Sequence, residues 1–226
     1  EYIRRYASSP ERAAAFAAEA QRAIGASPDA AMPRMHLVEL LRLTGRVDDA
    51  LHEIGAISAD DPFCVSRRGG LLLQAGRPAE AREALLTATQ TLPENPTVWS
   101  NLGLAELRLG NAAAAVAAVR RALSLDPELL EARENLAIAL ERQGDVAGAA
   151  AQRAEASSIR DRLARAHFEA GRQLLESGYA ERASVELERA AALAPGSANS
   201  QYLLGVAYNA MEAWGLAEGH LGRALA

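Results

Sequence analysis

The residues that could do chemistry are few, and their spacing argues against catalysis. His52-Glu53 opens a helical zinc arrangement in which a second histidine four residues on would share the metal, but Ala56 stands there. The four histidines, His36, His52, His167 and His220, never fall within one helical turn of each other, so no metal site is expected. Cys64 is the only cysteine. It can form no internal disulfide, has no adjacent imidazole to activate it, and reads as a small apolar residue early in a helix. All 24 basic residues are arginine. Without lysine there is no phosphate-loop lysine, no Schiff base to pyridoxal, no Ser-x-x-Lys acylase and no kinase lysine. No Gly-rich loop follows a strand pattern, and none of the chain reads as strand. No cofactor is expected, and the chain reads as non-enzymatic; a catalytic domain is left to sequence outside it.

Composition narrows the partners. The net charge is −5 over 226 residues, the opposite of the basic footprint that a nucleic-acid binder needs. No apolar run reaches the 18 or so residues of a membrane span, so no membrane insertion is expected. Half the residues are apolar but only 4% aromatic, a mix dominated by Ala and Leu that favours closely packed helices. The exclusive use of arginine reads as GC-rich, bacterial coding. The chain begins at Glu1 and its last segment stops inside a helical pattern. It reads as a fragment whose compartment is left open, the cytoplasm being favoured and the periplasm being the alternative if an upstream signal has been removed.

The elements that would position any site are set by a period. Gly76, Gly110, Gly144 and Gly178 lie 34 residues apart, as do Ala81, Ala115, Ala149, Ala183 and Ala217, and Ala88, Ala122, Ala156, Ala190 and Ala224. Three positions in one register are the mark of a solenoid, whose repeats bury their apolar faces only against neighbours. Residues 96–129 show the unit. Asn95 and Pro96 start a helix carrying Trp99, Leu102, Gly103 and Leu107; Gly110 ends it; a second helix aligns Ala115, Val119, Ala122 and Leu125; Asp126-Pro127 closes the repeat.

These residues resemble the tetratricopeptide repeat, whose pattern is Trp-x2-Leu-Gly, a turn Gly, Ala-x3-aromatic-x2-Ala and a closing Pro. Trp99, Leu102, Gly103, Gly110, Ala115, Ala122 and Pro127 match it, with Val119 in place of the aromatic residue. The resemblance implies an all-α fold: one right-handed solenoid of about twelve to thirteen antiparallel helices over residues 1–226. The repeats are placed at 31–61, 62–95, 96–129, 130–163, 164–197 and 198–226, the last incomplete, after a half repeat at 10–30.

Departures from the pattern mark irregular junctions. Gly45 to Gly76 spans 31 residues, so three are missing near Asp60-Asp61-Pro62, and a short linker or a shortened helix is expected there. Arg153 takes the slot of Leu85, Val119, Leu187 and Leu221, and Asp161 replaces the closing Pro. Residues 157–163 are therefore either a turn or one uninterrupted helix. Glu212 replaces the turn Gly of the last repeat.

In the family, the concave face is built from positions 2, 5, 6, 9, 12 and 13 of each first helix. Mapped here, the resemblance places Ser100, Asn101, Leu104, Arg108, Glu131, Glu134, Asn135, Glu141, Arg142, Arg165, Phe168, Glu169, Arg172, Glu176, Asn199, Tyr202 and Asn209 on that face. The candidate partner-binding residues are Asn101, Arg108, Asn135, Arg142, Arg165, Phe168, Arg172, Tyr202 and Asn209. Asn101 and Asn135 share position 6, in a pattern similar to the amide ladder of O-linked N-acetylglucosamine transferases, which holds peptide backbone. Arg67 and Glu169 flank the pair, so the ladder is short. Arg165, Glu169, Arg172 and Glu176 have the spacing to pair among themselves. The carboxylate clamp of heat-shock co-chaperones requires lysine and is not reproduced.

The expected function is a non-enzymatic scaffold that binds a protein or peptide in its groove. Its rivals are a substrate-recruiting domain of a larger bacterial glycosyltransferase or sulfotransferase, or an envelope assembly factor for pili, secretion or cytochrome maturation. The last helix, with Trp214, Leu221 and Leu225, is expected to leave an apolar stripe uncovered and open to self-association.

Overall fold

The computed structural model describes residues 3, 9–27, 31–57 and 61–225. Among them every regular element is an α-helix. In chain order they are α1 (Pro10–Ala26), α2 (Ala31–Leu43), α3 (Val47–Gly55), α4 (Pro62–Gln74), α5 (Pro78–Thr91), α6 (Pro96–Arg108), α7 (Ala112–Leu125), α8 (Leu130–Arg142), α9 (Val146–Glu176), α10 (Ala180–Leu193), α11 (Ala198–Ala210) and α12 (Trp214–Leu225). The chain forms two compact bodies, Glu1–Ala150 and Ala151–Ala226.

The helix starts follow from their caps. Asn95 Oδ1 accepts from the backbone N–H of Thr97 and Val98 at 3.0 and 3.4 Å, and Asp61 Oδ1 from that of Cys64 at 2.9 Å. Each satisfies amides that no intrahelical carbonyl can reach, with Pro62 and Pro96 filling first-turn positions that need no donor.

The ends of the first helices share one device. Gly76 N–H donates to Leu73 O at 3.1 Å while Arg77 N–H donates to Leu72 O at 2.9 Å, and the same two bonds recur around Gly45, Gly110, Gly144 and Gly178. These glycines have φ between 72° and 85°, the left-handed conformation that this C-terminal motif requires. Glu212 adopts it too, at φ 58°, and makes the same bonds. Backbone geometry has overridden residue type here.

Packing within each hairpin depends on a second set of glycines. A Cβ added at Gly103 would lie 2.3 Å from Val119 Cγ2; at Gly69, Gly171 and Gly205 it would lie 2.6, 2.5 and 2.5 Å from the Cγ of Leu85, Leu187 and Leu221. The missing side chain on the first helix is filled by a branched one sixteen residues later on the second. Around these contacts Ala81, Ala115, Ala149 and Ala183 are wholly buried, as are Ala88 and Ala122, whereas Ala224 in α12 is half-buried. In the first body α4 packs on α5 and α6, and α6 on α7 and α8. First helices thus stack in a row.

Both irregular junctions have physical causes. The three missing residues appear as a short α3, nine residues against fourteen in α5, α7 and α10; the expected linker around Asp60 lies partly outside the described residues. At 157–163 the second of the two alternatives holds, because α9 runs unbroken for 31 residues. Asp161 leaves an amide donor where Pro127 closes an earlier repeat, so nothing interrupts the ladder. The boundary placed at 163/164 falls inside this helix.

Two stability tests follow. Ala115→Leu has no volume to occupy and should cost about 1–3 kcal/mol in chemical denaturation; an unchanged midpoint would misplace the core. Glu212→Gly should relieve the left-handed strain and stabilise the chain by about 1 kcal/mol, and a loss of stability would show that the side chain matters more than the backbone.

Candidate functional site

The first body carries a groove of about 680 Å³ across three successive first helices. Met35, Glu39 and Arg42 come from α2, Phe63, Ser66, Arg67, Gly70 and Gln74 from α4, and Asn95, Thr97 and Asn101 from α6 and its cap. The α4 residues occupy positions 2, 5, 6, 9 and 13 of their repeat, so 34-residue stacking has turned a sequence register into a lined channel. Leu71 adds a buried apolar wall, while Phe63 stands 66% exposed. The Asn101 amide faces Gly70, where an added Cβ would be 3.6 Å from Nδ2.

Its charges are coupled. Glu39 accepts from Arg42 Nε and Nη2 at 2.9 and 2.7 Å, a two-pronged pair that raises the Arg42 pKa, and from Arg67 Nη1 at a longer 3.3 Å. Two guanidiniums share one carboxylate here.

Of the candidate partner-binding residues, only Asn101 lines this groove, beside Arg67, which precedes it in the same register position. Arg108 and Arg142, one repeat apart, each send Nη1 to a carbonyl of the preceding repeat, Leu73 O and Leu107 O. Gln74 Nε2 makes the equivalent contact with Arg42 O at 3.4 Å. These position-13 side chains staple consecutive first helices at the carbonyls that also receive the turn glycine. Asn135 is half-buried in α8. Ser100, mapped to the concave face, is instead buried, at 4% exposure.

In the second body Arg165 and Phe168 line a smaller cleft of about 460 Å³ with Asp161, Glu169, Ser197 and Asn199. Arg165 donates to the Asp161 carbonyl of its own helix at 3.2 Å. Arg172 bonds Glu169 at 2.8 Å and also Glu176, so three members of this row pair along α9 while Arg165 turns to backbone. Tyr202 is 55% exposed and Asn209 is exposed, both outside the cleft lining. On α12, Trp214 and Leu225 are exposed, but Leu221 is half-buried against Gly205, so the expected stripe is interrupted.

Cys64, His167 and His220 are held in structural contacts. Burial and neighbouring Asp61 push the Cys64 thiol above its ordinary value, which disfavours the thiolate, and that carboxylate is engaged as the α4 cap. His167 Nδ1 meets Glu186 at 2.7 Å and His220 Nδ1 meets Gln201 at 2.8 Å. Arg34–Glu53, at 2.7 Å, has the same separation of nineteen residues, so all three link the two helices of one hairpin. Burial and adjacent Arg223 hold His220 below the usual imidazole range. No group of metal-ligating residues occurs among the described residues, nor any helix long and apolar enough to cross a membrane.

Sequence reading missed Met35, Glu39, Arg42, Phe63, Gly70 and Gln74. The signal is present in the sequence, since the same position register names most of them.

Comparison with known proteins agrees with the fold. A tetratricopeptide repeat family model matches residues 67–129 and 105–162. Among solved structures, a tetratricopeptide repeat protein from Parabacteroides merdae superposes with TM-score 0.58 at 18% identity, covering 95% of this chain and 86% of the other. MamA from Desulfovibrio magneticus gives 0.55 at 17% identity, covering 65% and 94%. The anaphase-promoting-complex assembly Cut9–Hcn1 gives 0.59 at 16%, covering 94% and 43%. No curated protein matches by sequence. With the repeat pattern in the sequence, the hairpin geometry in the helices and the family model matched over residues 67–162, that part of the chain reads as tetratricopeptide repeats, and the chain has the all-α tetratricopeptide-repeat fold.

Proposed function

We propose that this protein is an interaction scaffold that holds an extended segment of a partner protein along the first-helix groove of residues 35–101. The supporting observation is the groove itself. Its walls are supplied by consecutive repeats at equivalent positions, and a row of equivalent side chains suits a chain-like ligand better than a compact metabolite. Asn101 offers a donor and an acceptor to peptide backbone whatever the ligand's side chains. Arg108 and Arg142 set the spacing of the row through their backbone contacts, and Asn135 continues it. Phe168, Arg165, Arg172, Tyr202 and Asn209 present a separate surface on the second body.

Peptides selected by phage display against the 226-residue chain test this reading by fluorescence anisotropy. Asn101→Ala should weaken a groove-bound peptide by about 1–3 kcal/mol. Gly70→Ala should raise stability by about 0.8–1 kcal/mol, since glycine is a poor helix former, and Gly70→Leu should obstruct the groove without unfolding α4. Selected peptides that bind Gly70→Leu as well as the unaltered chain would place the interaction elsewhere.

A further inference from the structure

Resting on the groove reading above, we infer that the partner segment is proline-rich and lies across the first helices as a polyproline II helix. The groove lining is rich in hydrogen-bond donors. Arg67 uses only Nη1, on Glu39, and Arg42 uses Nε and Nη2 on the same carboxylate. Among the described residues, Nε and Nη2 of Arg67 and Nη1 of Arg42 therefore have no hydrogen-bond partner. Asn95 commits Oδ1 to the cap of α6 and leaves Nδ2 to the groove, and the Asn101 side chain is unbonded among the described residues. Against these donors, the Glu39 carboxylate is already taken by three guanidinium N–H bonds. The uncommitted acceptors of the lining side chains are the amide oxygens of Asn101 and Gln74, with the Ser66 and Thr97 hydroxyls able to serve either role. An ordinary peptide brings as many N–H groups as carbonyls. A run of prolines brings carbonyls alone, and polyproline II makes no internal hydrogen bonds that would occupy them.

The spacing across the groove points the same way. α4 packs directly on α6, and helices in direct contact have axes about 8–10 Å apart. Equivalent residues of the two helices line the groove, Phe63 with Thr97 at position 2 and Arg67 with Asn101 at position 6. A segment crossing from α4 to α6 meets the same register again after that distance. Polyproline II returns to the same face every third residue, about 9 Å on. A β-extended chain returns after about 6.6 Å and next after about 13 Å, out of step with the helices. Exposed Phe63, with Met35 of α2 also in the lining, supplies apolar surface for the proline rings.

Three fluorescein-labelled nonamers, followed by anisotropy, separate the two arguments: nonaproline, nonasarcosine, which lacks N–H groups but is flexible, and an alternating Ala-Ser peptide, which has them. Nonaproline should bind roughly tenfold more tightly than the Ala-Ser peptide, with nonasarcosine between them, since a preformed helix loses less entropy on binding. Asn101→Asp keeps an acceptor and removes the donor. It should weaken nonaproline roughly fivefold and leave Ala-Ser binding unchanged or stronger, and Phe63→Ala should weaken nonaproline most of the three. Nonaproline that binds no more tightly than the Ala-Ser peptide, or that Asn101→Asp does not weaken, overturns the proline-rich assignment; nonasarcosine that binds as tightly as nonaproline overturns the polyproline II conformation. Gly70→Leu separates this outcome from the groove reading. If it abolishes binding of the display-selected peptides while no proline preference is found, the groove stands and only its occupant is wrong; if it leaves them unaffected, the groove reading fails. A nonaproline preference that survives Gly70→Leu puts the proline site outside the groove and overturns the inference.

Discussion

The close approach of two helices at glycine is the constraint on which each hairpin depends. Gly69, Gly103, Gly171 and Gly205 leave no Cβ, and Leu85, Val119, Leu187 and Leu221 occupy the space that one would take. Helices at this separation cannot tolerate larger side chains nearby, which accounts for the buried alanines at both periodic positions. Residues 137 and 153 test the relation. Where the first helix carries Ala137 instead of glycine, the position sixteen residues on carries Arg153 instead of a branched apolar residue. Both sides of the match change together.

A hairpin so built still needs a fixed offset from its neighbour if equivalent residues are to form a row. In the first body the position-13 side chains supply one, reaching carbonyls near the end of the preceding first helix. Those carbonyls are available because a carbonyl oxygen has two lone pairs and the turn glycine uses one. Trp99 and Arg133 add a similar tie, donating to the carbonyls of Pro93 and Pro127 ahead of their own helices. Arginine can replace tryptophan there because the geometry asks for an N–H donor on a long, largely buried side chain. Position 13 is Glu176 and then Ala210 further on, neither of which can donate to a carbonyl.

The fold was legible in the sequence because it is written in steric exclusions that recur. The turn glycines, the buried alanines and the proline caps each forbid most residues, so a period in residue type survives. The sequence leaves the unbroken α9 as one of two alternatives, since loss of a proline removes an obstacle to helix without requiring one. The binding surface was far less legible. Surface positions exclude little, and a side chain on the concave register can bind a partner, pair with its neighbour as Arg172 does, or hold backbone as Arg108 does. Residue type alone does not separate these uses; contacts do.

Why the larger groove opens over residues 35–101 follows from one position in the register. Position 9 of the first helix is Gly70 in that repeat, then Leu104, Ile138, Arg172 and Val206 in later ones. A side chain at this place stands in the middle of the lining row, so its absence at Gly70 opens the channel onto Leu71 and Asn101. A glycine in a helix interior costs about 1 kcal/mol relative to alanine. Gly69 recovers that cost through its fit with Leu85, but nothing packs into the space at Gly70, where an added Cβ would make only an ordinary contact. Packing therefore gives no reason for glycine at 70, whereas an open channel gives one.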